Sequence, residues 1–114
     1  MDDCVFCQIA SGAIPAKVLY EDDQVMAFHD MNPQARVHVL VIPKRHMASL
    51  AEAQDSDTAV LGQVMLVCAK MAQECGIVES GYRVVANTGR SAGQSVFHLH
   101  LHVLGGRSFD WPPG

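Results

Sequence analysis

Apolar and polar positions divide the chain into a short helix, a hairpin, a buried strand, a long helix and two further strands. Cys4 to Ser11 suits a short helix stopped by Gly12, and Ile14-Pro15 forces an extended path because proline restricts the residue before it. Val18-Leu19-Tyr20 and Val25 to His29 read as strands joined by the turn Glu21-Asp22-Asp23. Asn32-Pro33 marks a loop, after which His38 to Ile42 is an apolar, β-branched run that suits a buried strand ended by Pro43. The longest helix begins near Asp55-Ser56-Asp57, any of which can cap it. Val60, Leu61, Val64, Val67, Cys68, Met71 and Cys75 then recur at the spacing of one buried face, and Gly76 stops it. Tyr82 to Ala86 reads as a strand, Asn87 to Ser95 as a polar, glycine-bearing loop, and His98 to Leu104 as a last strand ended by Gly105-Gly106. The order β-β-β-α-β-β predicts an α+β domain, a mainly antiparallel sheet with one principal helix against it.

Composition narrows the class. A length of 114 residues suits one domain over 1–114, with 49% hydrophobic and 18% charged residues excluding a disordered polyampholyte. The net charge is −4 and the basic residues are scattered, so there is no stripe to track a nucleic-acid backbone; a phosphate-bearing ligand is expected to be small. No apolar stretch approaches the roughly 20 residues of a membrane span. The acidic start Met1-Asp2-Asp3-Cys4 is unlike a secretory leader, so the expected location is cytoplasmic. There the four cysteines read as thiols or metal ligands, with Cys68 and Cys75 as core residues of the long helix.

The chemistry concentrates in His98-Leu99-His100-Leu101-His102. Side chains alternate along a strand, so the three imidazoles share one face at about 7 Å spacing, with Leu99, Leu101 and Val103 on the other. Chance clustering and a three-histidine metal site are alternatives, although ligands along one strand converge only partly. The third reading is nucleophilic catalysis, because a neutral imidazole attacks phosphorus near pH 7 and a neighbouring imidazole can manage charge and protons. Gly89 and Gly93 let backbone N–H groups approach phosphate oxygens, and Ser95 offers a hydroxyl just ahead of the run. His29 reads as a solvated strand-end residue, and Lys44 and Arg45 as a solvated turn.

The run His98-Leu99-His100-Leu101-His102-Val103-Leu104 resembles the histidine triad (HIT) family pattern without a departure. Asp30-Met31-Asn32-Pro33-Gln34-Ala35, His38 to Lys44, Gly93 to Phe97 and the ending Trp111-Pro112-Pro113-Gly114 extend the resemblance over nearly the whole chain, and that ending is similar to the Hint-like branch. The resemblance implies a five-stranded antiparallel sheet with one main helix and a short N-terminal helix, paired into a homodimer. It implies a hydrolase of purine nucleoside 5′-phosphoramidates or aminoacyl adenylates, with purine nucleotide conjugates as partners and no organic cofactor. His100 would be the nucleophile that becomes nucleotidylated, His102 would bind phosphate and assist proton transfer, and His38 would support the triad's orientation. Asp30 would hold the ribose hydroxyls, while Asn87, Gly93, Gln94 and Ser95 line the phosphate and leaving-group side. Phe6, Ile14, Phe28, Met31 and Leu40 match the base pocket, though each also reads as ordinary core.

The branch that transfers nucleotides has glutamine at the third triad position, where this chain has His102. Fhit-like dinucleoside polyphosphate hydrolysis is the enzymatic alternative, and a nucleotide-binding interaction module the non-enzymatic one. Cys4-Val5-Phe6-Cys7 is half of a four-ligand zinc site by spacing, although a redox motif or idle thiols fit the spacing equally. His46 and His98 are the natural further ligands, as in some bacterial-type relatives, and such a zinc would be structural.

Overall fold

The computed structural model describes residues 3–114, so Met1 and Asp2 of the acidic start lie outside the described residues. The elements are helix α1 (Val5–Ala10), strands β1 (Val18–Glu21), β2 (Val25–His29) and β3 (Val37–Pro43), helix α2 (Thr58–Glu74), and strands β4 (Tyr82–Val85) and β5 (Leu101–Gly105). The strands form one sheet in the order β1-β2-β3-β5-β4, and every neighbouring pair is antiparallel.

The sheet has two apolar faces, which follows from period-two alternation in strands whose inward and outward residues are both apolar. Val25, Ala27, Val39, Val41, Leu101 and Val103 face α2 and pack with Val64, Val67, Cys68 and Met71. Met26, Phe28, Leu40 and Ile42 face the other way and pack with Phe6 of α1. The short N-terminal helix therefore closes the second face, and the candidate site lies under it. Cys68 is buried in the α2 layer with its thiol pushed up to about 12 by that burial, and Cys75 packs beside it, as expected of core thiols.

Turn chemistry sets the strand registers. Asp22 organises the β1–β2 turn: one carboxylate oxygen accepts the Gln24 and Val25 N–H groups, and the other accepts Tyr20 Oη–H at 2.7 Å and Gln63 Nε2–H at 2.9 Å. Burial alone would raise its pKa, but these donors outweigh it and hold the carboxyl down to about 2. Gly76, at φ 72°, ends α2 and lets the chain turn back into the sheet.

Three expectations change. Asp57 stands at the start of α2 without capping it through its side chain; it accepts instead from the Gln54 N–H and pairs with Arg45. Lys44 likewise pairs with Glu21 at 2.5 Å, so Lys44 and Arg45 form ion pairs rather than a merely solvated turn. The last strand also begins three residues later than its sequence suggests. Leu99 N–H donates to the Met47 carbonyl at 2.6 Å, so His98-Leu99-His100 is tied to the loop after β3 before the ladder starts at Leu101.

Candidate active site

The alternation expected of the histidine run persists through this irregular start. Leu99, Leu101 and Val103 are buried toward α2, while the imidazoles turn to the α1 side. They are not equally displayed there, however. His98 is fully buried, His100 is buried with an edge on the cavity, and His102 is half-buried. The His100 and His102 ring centroids are 5.0 Å apart, and Phe6 meets the His100 ring edge-on at 5.1 Å.

Hydrogen bonds assign a different state to each ring. His100 Nδ1 is 2.8 Å from the His98 carbonyl oxygen, which can only accept, so Nδ1–H donates and Nε2 keeps its lone pair. His98 Nε2–H donates to the Pro43 carbonyl at 2.7 Å, which leaves its Nδ1 lone pair facing Cys4 and Cys7. His38 Nδ1 accepts the Gln34 N–H at 3.0 Å, so its Nε2 carries the proton. That Nε2–H lies 2.8 Å from His102 Nδ1 and 3.3 Å from Asp30 Oδ2. His102 therefore accepts at Nδ1 and, when neutral, carries its own proton at Nε2. One ring offers an electron pair and its neighbour an N–H, which is what attack on a phosphorus centre and stabilisation of its oxygens require.

Burial holds His102 down to about 4, reinforced by His100 and His38 beside it. His38 is also lowered by burial, with the Asp30 carboxylate partly opposing. Both folded values lie below the unfolded value near 6.5. Their contribution to stability is therefore fully present above that value and is lost as pH falls toward the folded pKa. Each group withdraws at most about 1.4 kcal/mol per pH unit across its window. The expected result is a melting temperature that is level above pH 7 and falls progressively from pH 6.5 to pH 4.5, with a shallower decline in His102→Asn. An unchanged melting temperature across that range would refute it.

A cavity of 240 Å³ opens beside these rings, lined by Phe6, Phe28, Asp30, Leu40, Ser95, His100 and His102, with Met31 at its exposed rim. Asn87 stands beside Gly93, whose φ of 95° favours glycine. Gln94 is already engaged inside its loop: Oε1 accepts the Gly89 N–H, and Nε2–H donates to the Ala48 and Val96 carbonyls. These bonds shape the loop that carries Ser95. Ile14 lines a separate hollow of 290 Å³ beside α1. His29, read from the sequence only as a solvated strand-end residue, and Val96, which lies within the Gly93 to Phe97 stretch, also line the cavity. The signal for His29 was its place next to Asp30 at the end of β2.

Cys4, Cys7, His46 and His98 converge behind the triad, their ligand atoms within 4.8 Å of one another. Cys4 Sγ is 3.3 Å from His98 Nδ1, and Cys7 Sγ is 3.4 Å from both His98 Nδ1 and His46 Nδ1. Cys4 also stands at the N-cap of α1 and accepts the Cys7 N–H, so the helix start fixes both thiols.

Residues 11–109 match the HIT domain model. An uncharacterized HIT-like protein of Synechocystis is 50% identical over 113 residues, 99% of this chain and 98% of that protein. Among solved structures, a HIT family hydrolase from Legionella pneumophila superposes with a TM-score of 0.96 at 47% identity, covering 98% of this chain and 100% of the other. A histidine triad nucleotide-binding protein from Candida albicans superposes with a TM-score of 0.82 at 33% identity, covering 98% and 85%.

Proposed function

The chain belongs to the HIT domain family, and from that premise we propose that it hydrolyses purine nucleoside 5′-phosphoramidates or aminoacyl adenylates through a nucleotidyl-histidine intermediate. The observation that carries this reading is the assigned state of His100: Nδ1–H is tied to a backbone carbonyl, and Nε2 is left as a nucleophile beside the cavity.

The His100 Nε2 lone pair attacks phosphorus, and the bond from phosphorus to the leaving nitrogen breaks with its electron pair going to that nitrogen. The departing nitrogen takes its proton from the Ser95 hydroxyl, which lines the cavity and, being exposed, is reprotonated from solvent. The His102 N–H binds a phosphoryl oxygen, and His38 with Asp30 holds that ring in the required tautomer. Water then attacks the nucleotidyl-histidine and releases a proton to solvent, the phosphorus–nitrogen bond breaks with its electron pair returning to His100 Nε2, and the nucleotide leaves. Asp30 receives the ribose hydroxyls, and Phe6, Phe28 and Leu40 supply an apolar seat for the base. Release of a fluorogenic amine from its adenosine 5′-phosphoramidate tests the activity. Absence of release by the purified protein would sink the assignment.

The Cys4, Cys7, His46 and His98 set fits zinc. Two sulfurs and two nitrogens lie within 4.8 Å of one another, and the three sulfur–nitrogen distances of 3.3 to 3.4 Å match edges of a tetrahedron with bonds of about 2.0–2.3 Å. The Pro43 carbonyl fixes the His98 tautomer as such a ligand requires. Bound there, zinc would supply structural cross-linking alone, since four protein ligands leave no open position.

Pairing into a homodimer belongs to the same reading. It is supported by the outer edge of β4, which has no strand partner among the described residues, and by Met65 and Leu66 exposed on α2. A monomer at micromolar concentration in sedimentation equilibrium would count against it.

A further inference from the structure

The catalytic cavity continues in two directions. Past Ser95 and Val96 it meets a hollow of 470 Å³, the leaving-group side in the reading above. Across Phe28, His29, Asp30 and Met31 it meets a larger one of 690 Å³, which extends to Lys17, Arg36 and His38.

The chain has eight Lys and Arg residues. Lys44 and Arg45 are ion-paired, and Lys70, Arg83, Arg90 and Arg107 lie over aromatic rings. Among the described residues, Lys17 and Arg36 have neither kind of partner, and both line the larger hollow. Their positions are fixed by the sheet. The Lys17 carbonyl accepts the His29 N–H at 3.1 Å. Arg36 lies across Gly106, where an added Cβ would come within 2.8 Å of Arg36 Cβ and 2.9 Å of its Nε. A glycine at that position is what lets the arginine lie there. The one carboxylate in the hollow, Asp30, is engaged by the Asn32 N–H and faces His38, so two cations stand against one partnered anion.

Resting on the nucleotide reading above, we propose that Lys17 and Arg36 form a second anion subsite for a phosphate ester on the ribose of the bound nucleotide. The direction follows from the order of the hollows. With the 5′-phosphorus at His100 and the leaving group toward Ser95, the space beyond Asp30 is reached from the ribose 2′- or 3′-oxygen and not from the phosphoanhydride side. The substrate class is then a nucleotide conjugate phosphorylated on its ribose as well as at the 5′ position. Arginine and lysine suit such a group through charge-assisted hydrogen bonds.

Calorimetric titration of the full-length protein with AMP, adenosine 2′,5′-bisphosphate and adenosine 3′,5′-bisphosphate tests this. One bisphosphate is expected to bind about tenfold more tightly than AMP at low salt, with the margin shrinking as salt is added. Arg36→Ala is expected to remove most of that margin, and Arg36→Glu to reverse it, both leaving AMP affinity unchanged. Equal affinities in the unaltered protein, or a margin that survives in the Lys17→Ala, Arg36→Ala double variant, overturns the proposal. Failure of all three ligands to bind overturns the nucleotide reading itself, which is a different result.

Discussion

Replacing His100 with alanine is expected to lower kcat for phosphoramidate hydrolysis by about ten-thousand-fold while leaving AMP affinity within about threefold. The asymmetry follows from what the ring does in the structure. Its Nδ1–H is committed to the His98 carbonyl and the ring lines the cavity with Nε2 unengaged by that bond, a state suited to forming a bond more than to holding a ground state. Apolar contact with Phe6, Phe28 and Leu40 remains in the variant, as does the Asp30 carboxylate, and these carry the binding. Intact-mass analysis gives an independent reading. A nucleotidyl adduct should be trapped in the unaltered protein under rapid quench and be missing from the variant. Retention of most turnover in His100→Ala would show that the run serves some other chemistry. An adduct that persists in the variant would place the nucleophile elsewhere.

The sequence carried the site further than it carried the boundaries of the fold around it. Strand β2 and the buried face of α2 were legible because period-two and helical spacing are local properties, and Val25–His29 forms as expected. The late start of β5 was not legible. It depends on the bond from Leu99 N–H to Met47, a partner more than fifty residues away that no local pattern announces. The same bond explains why three histidines of equal sequence rank differ in the structure. Held to the loop after β3, His98 is buried against Pro43 and the two thiols, while His100 and His102 are left at the cavity. Gln94 is the converse case. A polar residue in a glycine-bearing loop suggests a ligand contact, yet its amide closes the loop on itself, and only the long-range contact with Ala48 reveals it. Lys17 and Arg36 were silent because an unpartnered cation is defined by what the other six cations do, which requires the fold.

Cys7→Ser is expected to remove zinc and to lower the melting temperature by about 10 °C, the shift that a loss of roughly 3 kcal/mol produces in a domain of this size. Cys7 is the most telling position of the four because its sulfur approaches both His46 and His98 at 3.4 Å. Its loss unties the N-terminal helix both from the loop after β3, at His46, and from the triad, at His98. The consequence reaches the chemistry through one covalent step. His98 offers its ring to the thiols and its carbonyl oxygen to His100 Nδ1, so a His98 released from its ligands no longer holds the nucleophile's proton on the correct side. Turnover should therefore fall along with stability, while the melting temperature of the unaltered protein should drop by a similar amount when a strong chelator removes the metal. Chelation should have no further effect on Cys7→Ser. Less than about half an equivalent of zinc in metal-replete protein would contradict the assignment, since a structural site of this kind binds tightly enough to fill. A variant that melts with the unaltered protein would contradict it equally, because the ligands would then be cross-linking nothing.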